Sequence, residues 1–184
     1  MLSGPYAALS SRRRRPAGLA LCVLLALGLA APATGQHAGL DLRETVTRVL
    51  AYTRWPVAPD PLRVCFVGTS PHAERLRQQG IAWPGGPVLL LRPDPARPVS
   101  AQCDALYIGA LDTPQWQQLA QELEGQPVLT LCERSSPCLA NGMVRLDIDP
   151  AGVPVRFEIN LDALARGKVR IHPQVLRLGQ ERKP

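Results

Sequence analysis

Apolar residues recur along this chain at two periods, and the way the periods alternate predicts its architecture. Leu42, Val46, Val49 and Leu50 are spaced as one apolar face of a helix. That helix should stop near Trp55-Pro56, because a proline pushes the residue before it out of the helical region. Pro59-Asp60-Pro61 is a turn, and Leu62 to Gly68 reads as a buried strand. Thr69-Ser70-Pro71 suits a helix start, with proline at the first helical position, and the helix runs through Ala73 and Leu76 to Gln79. Gly80 to Gly86 is turn chemistry, Val88 to Leu91 a short apolar strand, and Arg92 to Pro98 a proline-broken loop. Asp104 to Gly109 is another strand, Thr113-Pro114 opens a helix through Trp116, Leu119 and Leu123, and Pro127 to Cys132 is a further strand.

Beyond Cys138 the period changes. Met143 to Ile148 alternates with period two, Asp149 to Gly152 is a turn, and Val153 to Asn160 alternates again through Val155, Phe157 and Ile159. Those segments make a hairpin. A short helix from Leu161 to Ala165 ends at Gly167, Val169 to Ile171 is a strand candidate, and Pro173 to Leu178 a closing helix. Strands alternating with helices indicate an α/β fold, a mainly parallel sheet flanked by helices, here with an antiparallel hairpin in the C-terminal third.

The first 33 residues have a different character. Arg12 to Arg15 form a positive region with no acid around it, Leu19 to Ala30 is apolar, and Ala31-Pro32-Ala33 offers small residues for cleavage. This is the pattern of a secretory signal peptide, cut after Ala33, which leaves residues 34–184 as one domain outside the cytoplasm. Its apolar stretch of about 13 residues is short of the roughly 20 that span a bilayer. Ser11-Arg12-Arg13 lacks the apolar residue of a twin-arginine signal, and Leu21 stands where a lipoprotein box before Cys22 wants a small residue. The leader also explains the charge. The chain has 21 Lys and Arg against 15 Asp and Glu, a net +6. Without the four leader arginines the balance is 17 against 15, which together with widely spaced tryptophans argues against a nucleic-acid partner.

Four cysteines remain in the mature chain, Cys65, Cys103, Cys132 and Cys138, an even count suited to two disulfides in an oxidising compartment. Arithmetic allows three pairings. Cys132 and Cys138 flank the short polar loop Glu-Arg-Ser-Ser-Pro, where a local bridge is natural, and that leaves Cys65 with Cys103. Metal ligation ranks below, for want of a Cys-x-x-Cys pair with histidines nearby.

Catalytic constellations are thin. The chain has neither a Gly-x-Ser-x-Gly elbow nor a P-loop lysine. His72 with Cys65 is cancelled as base and nucleophile by a disulfide on Cys65, and Gly68-Thr69-Ser70 lacks dinucleotide spacing and is better read as a helix cap. Asp147 and Asp149 suit a solvated hairpin rim. Lys168, Arg170 and His172 fall on one strand face, with Arg177 nearby, and suit either solvent or an anionic ligand. No enzyme activity and no cofactor are expected.

The run Val155-Arg-Phe-Glu-Ile-Asn-Leu161, then Gly167-Lys-Val-Arg-Ile171 and Leu176-Arg-Leu178, resembles the closing segment of the YfiR-like family. Arg54-Trp55-Pro56 is similar to the Trp-Pro that closes that family's first helix, Leu62 to Gly68 to its first strand, Gln126 to Thr130 to a later one, and Gly142-Met143 to the start of its hairpin. The resemblance implies a periplasmic regulator that binds the periplasmic part of an inner-membrane diguanylate cyclase and holds it inactive, lowering cyclic di-GMP and biofilm formation. It implies an outer-membrane lipoprotein as the relieving partner and leaves a homodimer open. It also implies a long and a short disulfide at the places of Cys65–Cys103 and Cys132–Cys138. The alternative is a periplasmic sensor or solute-binding module in which Arg54, Trp55, Arg170, His172 and Arg177 line a pocket for an anion or aromatic metabolite.

Overall fold

Asp41 sets the first helix. Its carboxylate accepts a hydrogen bond from the Glu44 amide at 2.7 Å and caps α1 (Leu42–Tyr52), which buries Leu42, Val46, Val49 and Leu50. The structure is a computed structural model that describes residues 40–149 and 154–180, and the leader lies outside the described residues. The helix stops short of the expected Trp55-Pro56. The Thr53 hydroxyl donates to the Val49 carbonyl at 2.8 Å, and Thr53 and Arg54 turn extended as β1 (Thr53–Arg54). Pairing of Thr53 with Ile171 and of Arg54 with Arg170 accounts for that early exit.

The main sheet has six strands: β2 (Leu62–Val67), β3 (Val88–Leu91), β4 (Ala105–Ile108), β5 (Leu129–Glu133), β6 (Val144–Ile148) and β7 (Val155–Ile159). Their order is β3-β2-β4-β5-β6-β7, parallel from β3 through β6 and antiparallel between β6 and β7. The expected architecture holds: a mostly parallel α/β sheet between helices, ending in a hairpin. Counting the parallel strands in chain order gives 2-1-3-4-5, so the direction of winding reverses between β2 and β4. The helices on the sheet are α2 (Pro71–Gln79), α3 (Val99–Gln102) and α4 (Thr113–Leu123). After the hairpin come α5 (Leu161–Arg166), β8 (Arg170–Ile171) and α6 (Val175–Gln180). β8 and β1 form a separate two-stranded antiparallel ribbon.

Period-two alternation divides the core between the two faces. Leu62, Val64, Phe66, Tyr107, Leu129, Leu131, Val144 and Leu146 pack with α1, Leu76 of α2 and Val175 of α6. Cys65, Leu106, Ile108 and Cys132 pack on the other face with Trp116 and Leu119 of α4. Helix α3 has no counterpart in the sequence pattern. Its first amides are capped from a distance: Glu122 of α4 accepts from the Val99 and Ser100 amides. At the winding reversal Gly68 adopts φ +73°, and a methyl there would stand 2.5 Å from the Ala110 carbonyl oxygen, so only glycine lets Thr69 pair with Ala110.

Candidate functional site

The ribbon carries most of the basic residues singled out from the sequence. Arg54 and Arg170 are cross-strand partners, both exposed. Each guanidinium folds onto backbone, Arg54 Nη1 donating to the Ala51 and Thr53 carbonyls at 2.8 and 2.9 Å and Arg170 Nη1 to those of Gly167 and Val169 at 3.0 and 2.9 Å. His172 extends the ladder, its amide donating to the Tyr52 carbonyl at 2.9 Å, and its ring lies 6.3 Å from that of Tyr52. Val169 is fully buried between the exposed Lys168 and Arg170, as alternation requires. Arg177 is exposed on α6. Trp55 is engaged elsewhere. Its indole Nε1 donates to the Asp104 carbonyl at 2.9 Å, its ring meets Trp83 edge-on at 6.0 Å, and it lines a cavity of about 310 Å³ with Pro56, Pro59, Arg63 and Pro127. The structure therefore brings Arg54, Arg170 and His172 onto one open surface and sets Trp55 in a separate pocket.

Two disulfides brace the sheet. Cys65 of β2 joins Cys103, just before β4, with Cα atoms 5.7 Å apart, and Cys132 at the end of β5 joins Cys138 with 5.9 Å. Beside the first bridge, Asp104 receives the Arg63 amide at 2.9 Å, Nε at 3.0 Å and Nη2 at 2.8 Å, while Nη1 reaches the Ala101 carbonyl at 2.8 Å. Hydrogen bonding to Asp104, with its charge, raises the Arg63 guanidinium above its ordinary value against the opposing effect of burial. Beside the second bridge, Gly142 leaves no room for a methyl, which would overlap the Cys132 sulfur and stand 2.9 Å from the Cys138 carbonyl oxygen.

At the carboxyl ends of β4 and β5, on the sheet face opposite Cys132, lies a cluster that composition hid. Glu133, in the polar stretch between the cysteines, is the last residue of β5 and only 6% exposed. The Tyr107 hydroxyl donates to its Oε1 at 2.6 Å, and the Ser70 hydroxyl donates to the same oxygen. Ser70 in turn caps α2, accepting the His72 and Ala73 amides at 3.0 and 3.1 Å. Burial, reinforced by the charge of Glu133 and the bond to it, pushes the Tyr107 phenol far above its ordinary value. The missed signal was parity: Glu133 shares its strand face with Leu129 and Leu131.

A family model described as YfiR/HmsC-like matches residues 43–180. The chain belongs to that family. The YfiR/HmsC-like family is regulatory rather than catalytic, and membership supports a periplasmic regulator of cyclic di-GMP signalling at family level. The closing segment on which the resemblance rested has a physical role here. Phe157 and Ile159 pack on the core, while Arg156 and Glu158 are exposed, with Glu158 3.6 Å from Arg145. Asn160 ends the run by capping α5, accepting the Ala163 amide at 3.1 Å, and donates its own amide to the Met143 carbonyl at 2.8 Å. Two disulfides on an α/β sheet are consistent with an oxidising compartment. Among the described residues no helix is long and apolar enough to cross a membrane.

Proposed function

We propose that this protein restrains an inner-membrane diguanylate cyclase by binding its periplasmic part, so that cyclic di-GMP stays low until an outer-membrane lipoprotein relieves the restraint. The observation that carries this reading is the YfiR/HmsC-like match across residues 43–180. The bridged sheet supports it, since a binder that is already ordered loses less conformational freedom on association. The mature, oxidised protein, used as bait on solubilised inner membrane, should recover a cyclase-bearing membrane protein identified by mass. Deleting the gene should raise cyclic di-GMP. Unchanged cyclic di-GMP in the deletion strain, with no cyclase recovered, would sink the proposal.

A second reading has its own observation. Arg54 and Arg170 are register partners with exposed guanidinium groups, and among the described residues neither has a carboxylate partner. With His172 on the same ribbon they suit an anionic or aromatic solute that tunes partner affinity. An Arg54→Ala, Arg170→Ala variant that still binds the cyclase but loses a solute-induced thermal shift would establish that reading.

A further inference from the structure

In a doubly wound sheet the favoured ligand crevice lies outside the carboxyl ends of the strands at the reversal of winding, here between β2 and β4, and the same end of the sheet continues past β5 and β6. Here that end carries a buried acid without a counter-charge. Glu133 is 6% exposed, and among the described ion pairs none includes it. Two hydroxyl donors, Ser70 and Tyr107, satisfy Oε1 but supply no charge. A buried carboxylate without a cation is costly, and proteins keep such groups where something else pairs with them. Glu133 borders a cavity of about 390 Å³ that opens between the ends of β5 and β6. Leu146 and Ile148 give it an apolar wall, His72 comes from the first turn of α2, and Arg134 and Asp147 also border it. The Arg134–Asp147 pair spans 3.5 Å with side chains 75% and 39% exposed, a contact weak enough to exchange.

We propose that this cavity binds a small organic cation, an alkylammonium or alkylguanidinium group, with its charge against Glu133 and its apolar body on Leu146 and Ile148. Asp147 contributes a second negative charge near the ligand, and Arg134 moves aside to solvent. The Tyr107 phenol stays protonated as a hydrogen-bond donor, which keeps the Glu133 oxygen that it holds fixed in place. The site stands independently of any cyclase, so failure of one proposal leaves the other untouched.

The test titrates the mature, oxidised protein with butylammonium and butylguanidinium, following backbone amide resonances of Glu133, Arg134, Leu146, Asp147 and Ile148. Neutral 1-butanol and the anion butyrate serve as controls. Both cations should give saturable shifts confined to those amides, and the controls none. Glu133→Gln keeps the acceptor oxygen for Ser70 and Tyr107 but removes the charge, and should weaken cation binding about tenfold or more. Asp147→Asn should weaken it less. Should Glu133→Gln fail to fold, Tyr107→Phe serves instead: it removes the donor that holds the Glu133 oxygen in place, and cation binding should weaken. Shifts produced equally by 1-butanol, affinity unchanged in Glu133→Gln, or unchanged or tighter binding in Tyr107→Phe overturns the proposal.

Discussion

Replacing Gly142 by alanine isolates a single steric contact. Gly142 is buried and is absent from the glycines with positive φ, so its need for glycine is one of space, not of backbone conformation. An added methyl overlaps the Cys132 sulfur, far inside the 3.0 Å that Cβ atoms keep, and approaches the Cys138 carbonyl oxygen to 2.9 Å. The Gly142 amide already donates to that carbonyl at 2.6 Å, and the sulfur is tied to Cys138, so neither neighbour retreats freely. Overpacking of this kind costs about 1–3 kcal/mol. At about 2–4 °C per kcal/mol for a chain of this size, the melting temperature of Gly142→Ala should fall by about 2–12 °C. The deciding comparison is a cycle with Cys132→Ala, Cys138→Ala. That double change removes the sulfur that the methyl would strike and leaves the carbonyl contact, so the alanine penalty should fall by half or more, giving a coupling of about 1 kcal/mol. Urea unfolding of the four proteins measures it. Equal penalties in the bridged and unbridged backgrounds would refute the steric account and show that Gly142 is needed for some other reason.

Removing the long bridge by Cys65→Ala, Cys103→Ala restores the closure entropy of a loop with a sequence separation of 38. It should cost about 4 kcal/mol, against about 2 for the short bridge, read as a larger loss of urea midpoint. Arg63→Ala strips two side-chain hydrogen bonds from Asp104, whose side chain is 15% exposed, and leaves the one from the backbone amide; it should cost about 1–2 kcal/mol given that Arg63 is itself 35% exposed. Adding Asp104→Asn should recover part of that loss, and a strictly additive double variant would show that the pair does not interact. Tyr107 makes stability depend on alkaline pH: its folded pKa lies above that of the unfolded chain, so the unfolded state releases the proton first. Its contribution is complete below about pH 10 and declines above it by up to about 1.4 kcal/mol per pH unit, a slope that Tyr107→Phe should abolish.

The central sheet was legible because its strands are buried on both faces and read as apolar runs, as in Val64 to Val67 and Ala105 to Ile108. Other features depend on partners distant in the chain. β1 is two residues with no local signal of its own, and it exists because Ile171 and Arg170 lie alongside it. Helix α3 follows Pro98 in a loop-like segment, and its first amides are met by Glu122 from another helix. Trp55 follows Arg54 in the chain, yet Trp83 and the Asp104 carbonyl hold it in another pocket, away from the ribbon arginines. Glu133 illustrates a conflict between two signals. Its neighbours Arg134 and Ser135 made the segment read as a polar loop, whereas parity with Leu129 and Leu131 placed it inside, and parity was right.

The placement of the stabilising devices bears on how such a protein can regulate. To restrain a two-state enzyme it need only prefer the inactive state, and a differential affinity of about 3 kcal/mol shifts that balance more than a hundredfold. A soft binder would spend part of that preference on its own ordering. Here the sheet is fastened at both ends: Cys65–Cys103 and Arg63–Asp104 join β2 to the start of β4, and Cys132–Cys138 closes against Gly142 at the carboxyl end of β5. The β1–β8 ribbon pairs Thr53 with Ile171 and Arg54 with Arg170, is extended by the His172 amide on the Tyr52 carbonyl, and presents Arg54, Arg170 and His172 to solvent. A fixed frame beside a short, charged ribbon separates two tasks. The frame preserves the shape that distinguishes one state of a partner from another, while the ribbon, anchored through buried Thr53 and Val169, offers its exposed side chains for contact.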